Sequence, residues 1–88
     1  MQYSREEIFT KLKEILKTTN YVDEKIINEC TEDYHIITDL GLSSIMILHV
    51  LVLIEESFNI KIDMNNGKNI LIVKNIIDII YDKTKKSE

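Results

Sequence analysis

Two adjacent serines, Ser43 and Ser44, follow Gly41 and head a strongly apolar run in which every residue from Ile45 to Ile54 except His49 is apolar. A serine hydroxyl can attack as a nucleophile, cap a helix or accept a covalent group. Nucleophilic work needs a base beside it, and the two histidines, His35 and His49, have no acidic or cysteine partner at suitable spacing. The same isolation argues against a metal site. Cys30 has no histidine close by in sequence and reads as a small hydrophobe or a loop residue. No glycine-rich phosphate loop, Ser-His-Asp set or paired carboxylates stand out, so the chain offers no self-contained active site. What remains is a hydroxyl at the start of a helix. Ser43 or Ser44 can cap the helix amides, which leaves the other free, and Gly41 lets the chain turn just before them.

The elements that must position this hydroxyl are helical. Residues 4–19 read as an amphipathic helix, with Ser4 and Glu7 at capping-box spacing and Ile8, Leu12, Ile15 and Leu16 at helical intervals. Around Val22, Ile26 and Ile27 a short turn of helix can pack on the bundle. Residues 31–39 suggest a long loop pinned by the Ile36-Ile37 pair. A loop of that length in a small domain usually has a function. A second long helix is expected over 44–58, then loops over 59–63 and 65–69 with one helical turn between them. A last helix over 71–83 sets Val73, Ile76, Ile77 and Ile80 on one face. The expected fold is all-α: a small bundle of three longer helices and one short one, with long first and third connections. It forms one domain over 1–88, with 82–88 as a frayed tail.

Composition agrees. The chain has 88 residues, 44% of them hydrophobic, no Pro and two Gly, which favours helices joined by polar loops. The single Cys rules out an internal disulfide and fits a reducing compartment. No secretory signal is seen and no apolar run reaches bilayer-spanning length, so the protein is expected to be cytoplasmic with no membrane span. A net charge of -4 repels phosphate backbones, so no nucleic-acid partner is expected, although acidity this mild discriminates little.

The stretch Asp39-Leu40-Gly41-Leu42-Ser43-Ser44-Ile45, with Glu55-Glu56-Ser57-Phe58-Asn59-Ile60-Lys61-Ile62 after the apolar helix, resembles the phosphopantetheine attachment site of the acyl and peptidyl carrier protein family. The family pattern is a leucine-glycine turn, Asp-Ser-Leu opening the second helix, and Glu-Glu-x-Phe before an extended Ile. Ser44 falls on the modified serine, Ile45 on the Leu after it and Phe58 on the helix-ending Phe. Val73, Ile77, Asp78 and Ile80 match the family's final helix, and no gap is needed from Asp39 to Ile80. The resemblance implies an acyl-carrier-protein-like bundle that is not itself an enzyme. It would hold acyl or aminoacyl groups as thioesters on a 4′-phosphopantetheine arm, taken from coenzyme A and joined to Ser44. The implied partners are a phosphopantetheinyl transferase, a loading ligase or adenylation enzyme, and condensing or other pathway enzymes. By family position Ile54, Ile62, Ile70 and Ile76 would line a cavity for the acyl chain. The plain alternative for Ser44 is a helix cap, and Ser43 is the fallback site.

The chain also departs from that pattern. Ser43 replaces the usual Asp, and Met46, His49, Asn65, Asn66 and Lys68 stand where fatty-acid carriers display acids. On a 3.6-residue period Leu48, Leu51, Val52, Ile54 and Phe58 can face inward together. Met46, Ile47, His49 and Val50 are then left at the exposed side or its border. Leu42, Ile45, Met46, His49 and Val50 are the candidate partner contacts, and recognition is expected to depend more on apolar contact than on charge. This favours a specialised pathway of nonribosomal peptide or polyketide type over fatty acid synthesis or D-alanyl transfer. The alternative of another class is an unmodified helical interaction module.

Overall fold

The computed structural model describes residues 2–63 and 69–85, and among these the chain is all-α. Helix α1 (Arg5–Thr19) starts at a capping box: the Ser4 hydroxyl accepts from the Glu7 amide at 3.1 Å, and the Ser4 amide donates to Glu7 Oε1 at 2.8 Å. Asn20 ends it in the left-handed conformation, φ 62°, which asparagine tolerates better than most residues. Ile8, Leu12, Ile15 and Leu16 are buried as the periodicity predicts.

Helix α2 (Glu24–Glu29) is the short one, opened by Asp23, whose side chain accepts from the Lys25 amide at 3.1 Å. Ile27 is fully buried, while Ile26 is exposed. Because Asp23 starts a helix so soon after α1, the first connection is not long. Residues 20–23 span it, and the long connections are 30–43 and 59–72. The helical turn expected between the loops that follow α3 lies outside the described residues, as do Asn65, Asn66 and Lys68.

Helix α3 (Ser44–Phe58) has the predicted bounds and ends at Asn59, again left-handed, φ 55°. Helix α4 (Val73–Lys85) begins two residues later than the periodicity suggests and runs further. Its start is delayed because the backbone of residues 71–73 is engaged elsewhere. The Ile36 amide donates to the Leu71 carbonyl at 2.8 Å and the Val73 amide to the Tyr34 carbonyl at 3.0 Å, with His35 and Ile72 paired antiparallel. Its far end stays helical through 82–85, where Thr84 is buried and donates to the Ile80 carbonyl at 2.8 Å. The frayed tail expected from residue 82 is therefore corrected for those four residues.

Helix α1 packs against all three other helices. Its Arg5 joins three segments, hydrogen-bonding Asp78 on α4 and Glu32 in the loop after α2. These bonds, Asp78 first, hold the guanidinium pKa above its ordinary value. No helix among the described residues is long and apolar enough to cross a membrane.

Candidate functional site

The segment entering α3 is built from nested turns. The His35 amide donates to Asp39 Oδ2 at 2.7 Å, the Asp39 amide returns to the His35 carbonyl at 2.8 Å, and His35 Nδ1 accepts from the Ile37 and Thr38 amides. His35 thus organises a turn. Gly41 follows with φ 77°. A side chain added there would touch nothing within 4 Å, so backbone conformation alone asks for glycine. Ile36, Leu40 and Leu42 are buried and pin the loop, whereas Ile37 is exposed. The Ile36-Ile37 anchor is corrected to that alternate set.

At the head of α3 the two serines divide the work. Ser43 is the N-cap: its hydroxyl accepts from the Met46 amide at 3.4 Å and its carbonyl from the Ile47 amide at 2.9 Å. Ser44 is the first helical residue and exposed. No hydrogen bond among the described residues engages the Ser44 hydroxyl, and the Ser44 and Ile45 amides likewise have no acceptor there. Open amides at a helix start favour a negative group. A phosphodiester on Ser44 would suit this position, because the hydroxyl is accessible and the start of a long helix favours negative charge. The sequence left open which serine caps; the geometry gives that role to Ser43.

The predicted contact residues separate. Ile45 is 77% exposed, His49 is exposed and Met46 is half-buried. Leu42 and Val50, at 2% and 8%, belong to the core and present nothing to a partner. The inward face of α3 is corrected with them. Leu51, Ile54 and Phe58 are buried as expected, but Ile47 and Val50 join them in place of Leu48 and Val52, which are 56% and 48% exposed. A helix apolar on nearly every side fits two wheels equally well. The available signal was polar: His49 and Glu56, seven residues apart, mark the outward face on which Val52 lies. The Tyr21 hydroxyl is hydrogen-bonded to His49 Nδ1 at 2.7 Å and the two rings meet edge-on.

Of the four candidate cavity residues, Ile54 and Ile76 line a core cavity of about 30 Å³, with Phe9, Leu12, Cys30 and Leu42 among its other walls. Ile62 and Ile70 are not in its lining. That volume has room for about two water-sized groups. Cys30 is buried there, its Sγ 3.4 Å from the Thr31 carbonyl, and burial pushes its thiol pKa up. It is poorly placed to react.

The chain is similar to known proteins over this same region. Residues 10–66 match the family described as phosphopantetheine attachment site. The acyl carrier protein of Thermotoga maritima is 35% identical over 91% of this chain and 95% of its own length. Those of Coprothermobacter proteolyticus and Buchnera aphidicola are each 34% identical over 86% of this chain, covering 89% and 92% of theirs.

Proposed function

The chain belongs to the phosphopantetheine attachment-site family of carrier proteins, and from that membership we propose that it carries acyl groups on an arm attached to Ser44. The family's cofactor is covalent 4′-phosphopantetheine, which supplies a thiol on which acyl groups are carried as thioesters. This chain's own contribution is to hold and present it. Ser44 offers the hydroxyl, Ser43 satisfies the Met46 amide, and the open amides of Ser44 and Ile45 would favour the added negative charge. The division of labour between the serines carries the reading: a hydroxyl with no other employment stands exposed on a long helix. The fit of Ser44 to the family's serine supports it independently.

The proposal includes a non-catalytic role in the cytoplasm, served by a phosphopantetheinyl transferase, a loading enzyme and the enzymes that use the cargo. The relatives are named acyl carrier proteins, which favours acyl over aminoacyl cargo. They support a fatty-acid type of pathway at least as well as a specialised one. One observation keeps the specialised pathway in view: the first turn of α3 has no acidic residue.

Intact-protein mass before and after incubation with coenzyme A, Mg²⁺ and a broad-specificity phosphopantetheinyl transferase tests the site. The parent is expected to gain one phosphopantetheine and Ser44→Ala none. Gain in both would move the site, first to Ser43. No gain in either with two transferases, while circular dichroism reports a folded helical protein, would leave the unmodified interaction module in its place.

A further inference from the structure

We propose that His35, in its neutral form, is the positioning residue for the Ser44 hydroxyl, and that the turn it organises loosens as pH falls through the histidine range, slowing installation of the arm. The inference rests on Ser44 as the attachment site and concerns how that site is regulated.

Each of the eight backbone amides from residue 35 to residue 42 has an acceptor. The Ile36 amide reaches out to the Leu71 carbonyl, and the other seven close within the segment itself. His35 accepts four of them. Its Nδ1 takes the Ile37 and Thr38 amides at 3.2 and 3.3 Å, and its carbonyl takes those of Asp39 and Leu40 at 2.8 and 3.2 Å. The Gly41 and Leu42 amides then bond to the Ile37 and Ile36 carbonyls, each at 3.0 Å. Ser43 follows at once as the cap of α3. The direction in which the chain delivers Ser44 is thus set by a turn wound around one side chain.

A ring nitrogen accepts an N–H only while its lone pair is free. The two amides aimed at Nδ1 therefore assign the ring hydrogen to Nε2. A proton on Nδ1 turns the acceptor into a donor, breaks both bonds and leaves two amides facing an N–H. The nearest charged group is Asp39, whose Oδ2 is engaged by the His35 amide at 2.7 Å. Tyr34, Asp33 and Glu32 precede the ring in the chain. Across the pairing with residues 71–73, the Lys74 amide donates to the Glu32 carbonyl, and Arg5 of α1 holds the Glu32 carboxylate. Ile37, Thr38 and Asp39 are exposed, so this turn opens at low cost. The buried Ile36, Leu40 and Leu42 keep the rest of the loop in place. Protonation of His35 therefore loosens the approach to Ser44 without unfolding the chain.

The test places apo parent and apo His35→Asn in one tube with coenzyme A, Mg²⁺ and a broad-specificity transferase. Both modification rates are read by intact mass from about pH 8 down to about pH 5.5, a window that spans the ordinary range of histidine and lies above that of carboxylates. Sharing the tube cancels the transferase's own pH profile. Asparagine accepts the amide two residues on with an oxygen that does not titrate. The two rates are expected to match at about pH 8, and the parent to fall roughly fivefold behind at about pH 5.5, the worth of about one hydrogen bond. His35→Ala, which has no acceptor, is expected to be slow throughout. A ratio of parent to His35→Asn that stays flat across the window, with the parent modified at Ser44, overturns the role of His35 and leaves the attachment site standing. Should His35→Asn fail to fold by circular dichroism, NMR of the parent decides. The His35 ring and the Ile37 and Thr38 amides titrate together if the proposal holds, and a ring that titrates while both amide signals stay fixed overturns it. A folded parent that two transferases cannot modify removes the attachment reading and this proposal with it.

Discussion

Helices α3 and α4 are of comparable length, 15 and 13 residues, yet they treat their apolar residues differently. On α4, Val73, Ile76, Ile77, Ile79 and Ile80 are all buried, and the exposed positions are taken by Lys74, Asp82 and Lys85. On α3 the apolar residues outnumber the places available inside. Five residues are buried, while Ile45, Leu48 and Val52 stand in water. An amphipathic helix such as α4 is explained by the core it completes. The surplus on α3 is not used by the core, and it lies along the side of the helix that begins at Ser44. The contrast separates a helix that holds the fold together from one that also presents it.

Substitutions can break or sharpen that contrast. The largest stability loss is expected from Ile77→Ala on α4, where a fully buried side chain is removed at a cost of about 2–5 kcal/mol, read by urea denaturation. Next comes Ser43→Ala at the head of α3, which loses the cap on Met46 for about 1 kcal/mol. Its modification by transferase is expected to persist, because Ser44 is untouched; loss of modification would mean the serines do not divide their roles.

Cys30→Val is a subtler test, made on the core cavity that α3 and α4 share. Burial raises the thiol pKa above its ordinary 9.0, so the folded chain keeps a proton that the unfolded chain releases. That contribution is complete below about pH 9 and is lost as pH rises through the folded value. Unfolding curves of the parent from about pH 8 to about pH 10 should therefore show an alkaline decline that Cys30→Val reduces. A decline of equal slope in both proteins would assign it to other groups.

The smallest effect belongs to the exposed apolar residues of α3. Leu48→Ser should change stability by no more than about 0.5 kcal/mol. A loss approaching that of Ile77→Ala would show that α3, like α4, is apolar because the core needs it.

Much of this was legible in the sequence where the determinants are local. The Ser4–Glu7 capping box fixes the start of α1 within four residues of chain, and α4 shows its buried face because polar residues separate its isoleucines. The serine proposed for attachment, Ser44, was picked out through its neighbours and their downstream spacing. The face of α3 was not, since Leu48 and Ile47 are equally apolar and only packing against α1 and the loop chooses between them. The loop before Ser44 was also opaque. Its backbone partners, Leu71 and Val73, lie far along the chain, and no local pattern announces a bond from Ile36 to Leu71. The same pairing delays the start of α4, which periodicity alone set at residue 71.

That pairing also has a consequence in time. During synthesis the serines leave the ribosome well before residues 71–73, so a nascent chain cannot close the clasp between 34–36 and 71–73 until those residues have emerged. The segment leading into Ser44 takes its final shape only once residues 71–73 can pair with it. A truncated product that ends before residue 71 contains Ser44 but lacks half of the clasp that shapes its approach. Presentation of the hydroxyl is thereby tied to the segment that opens α4.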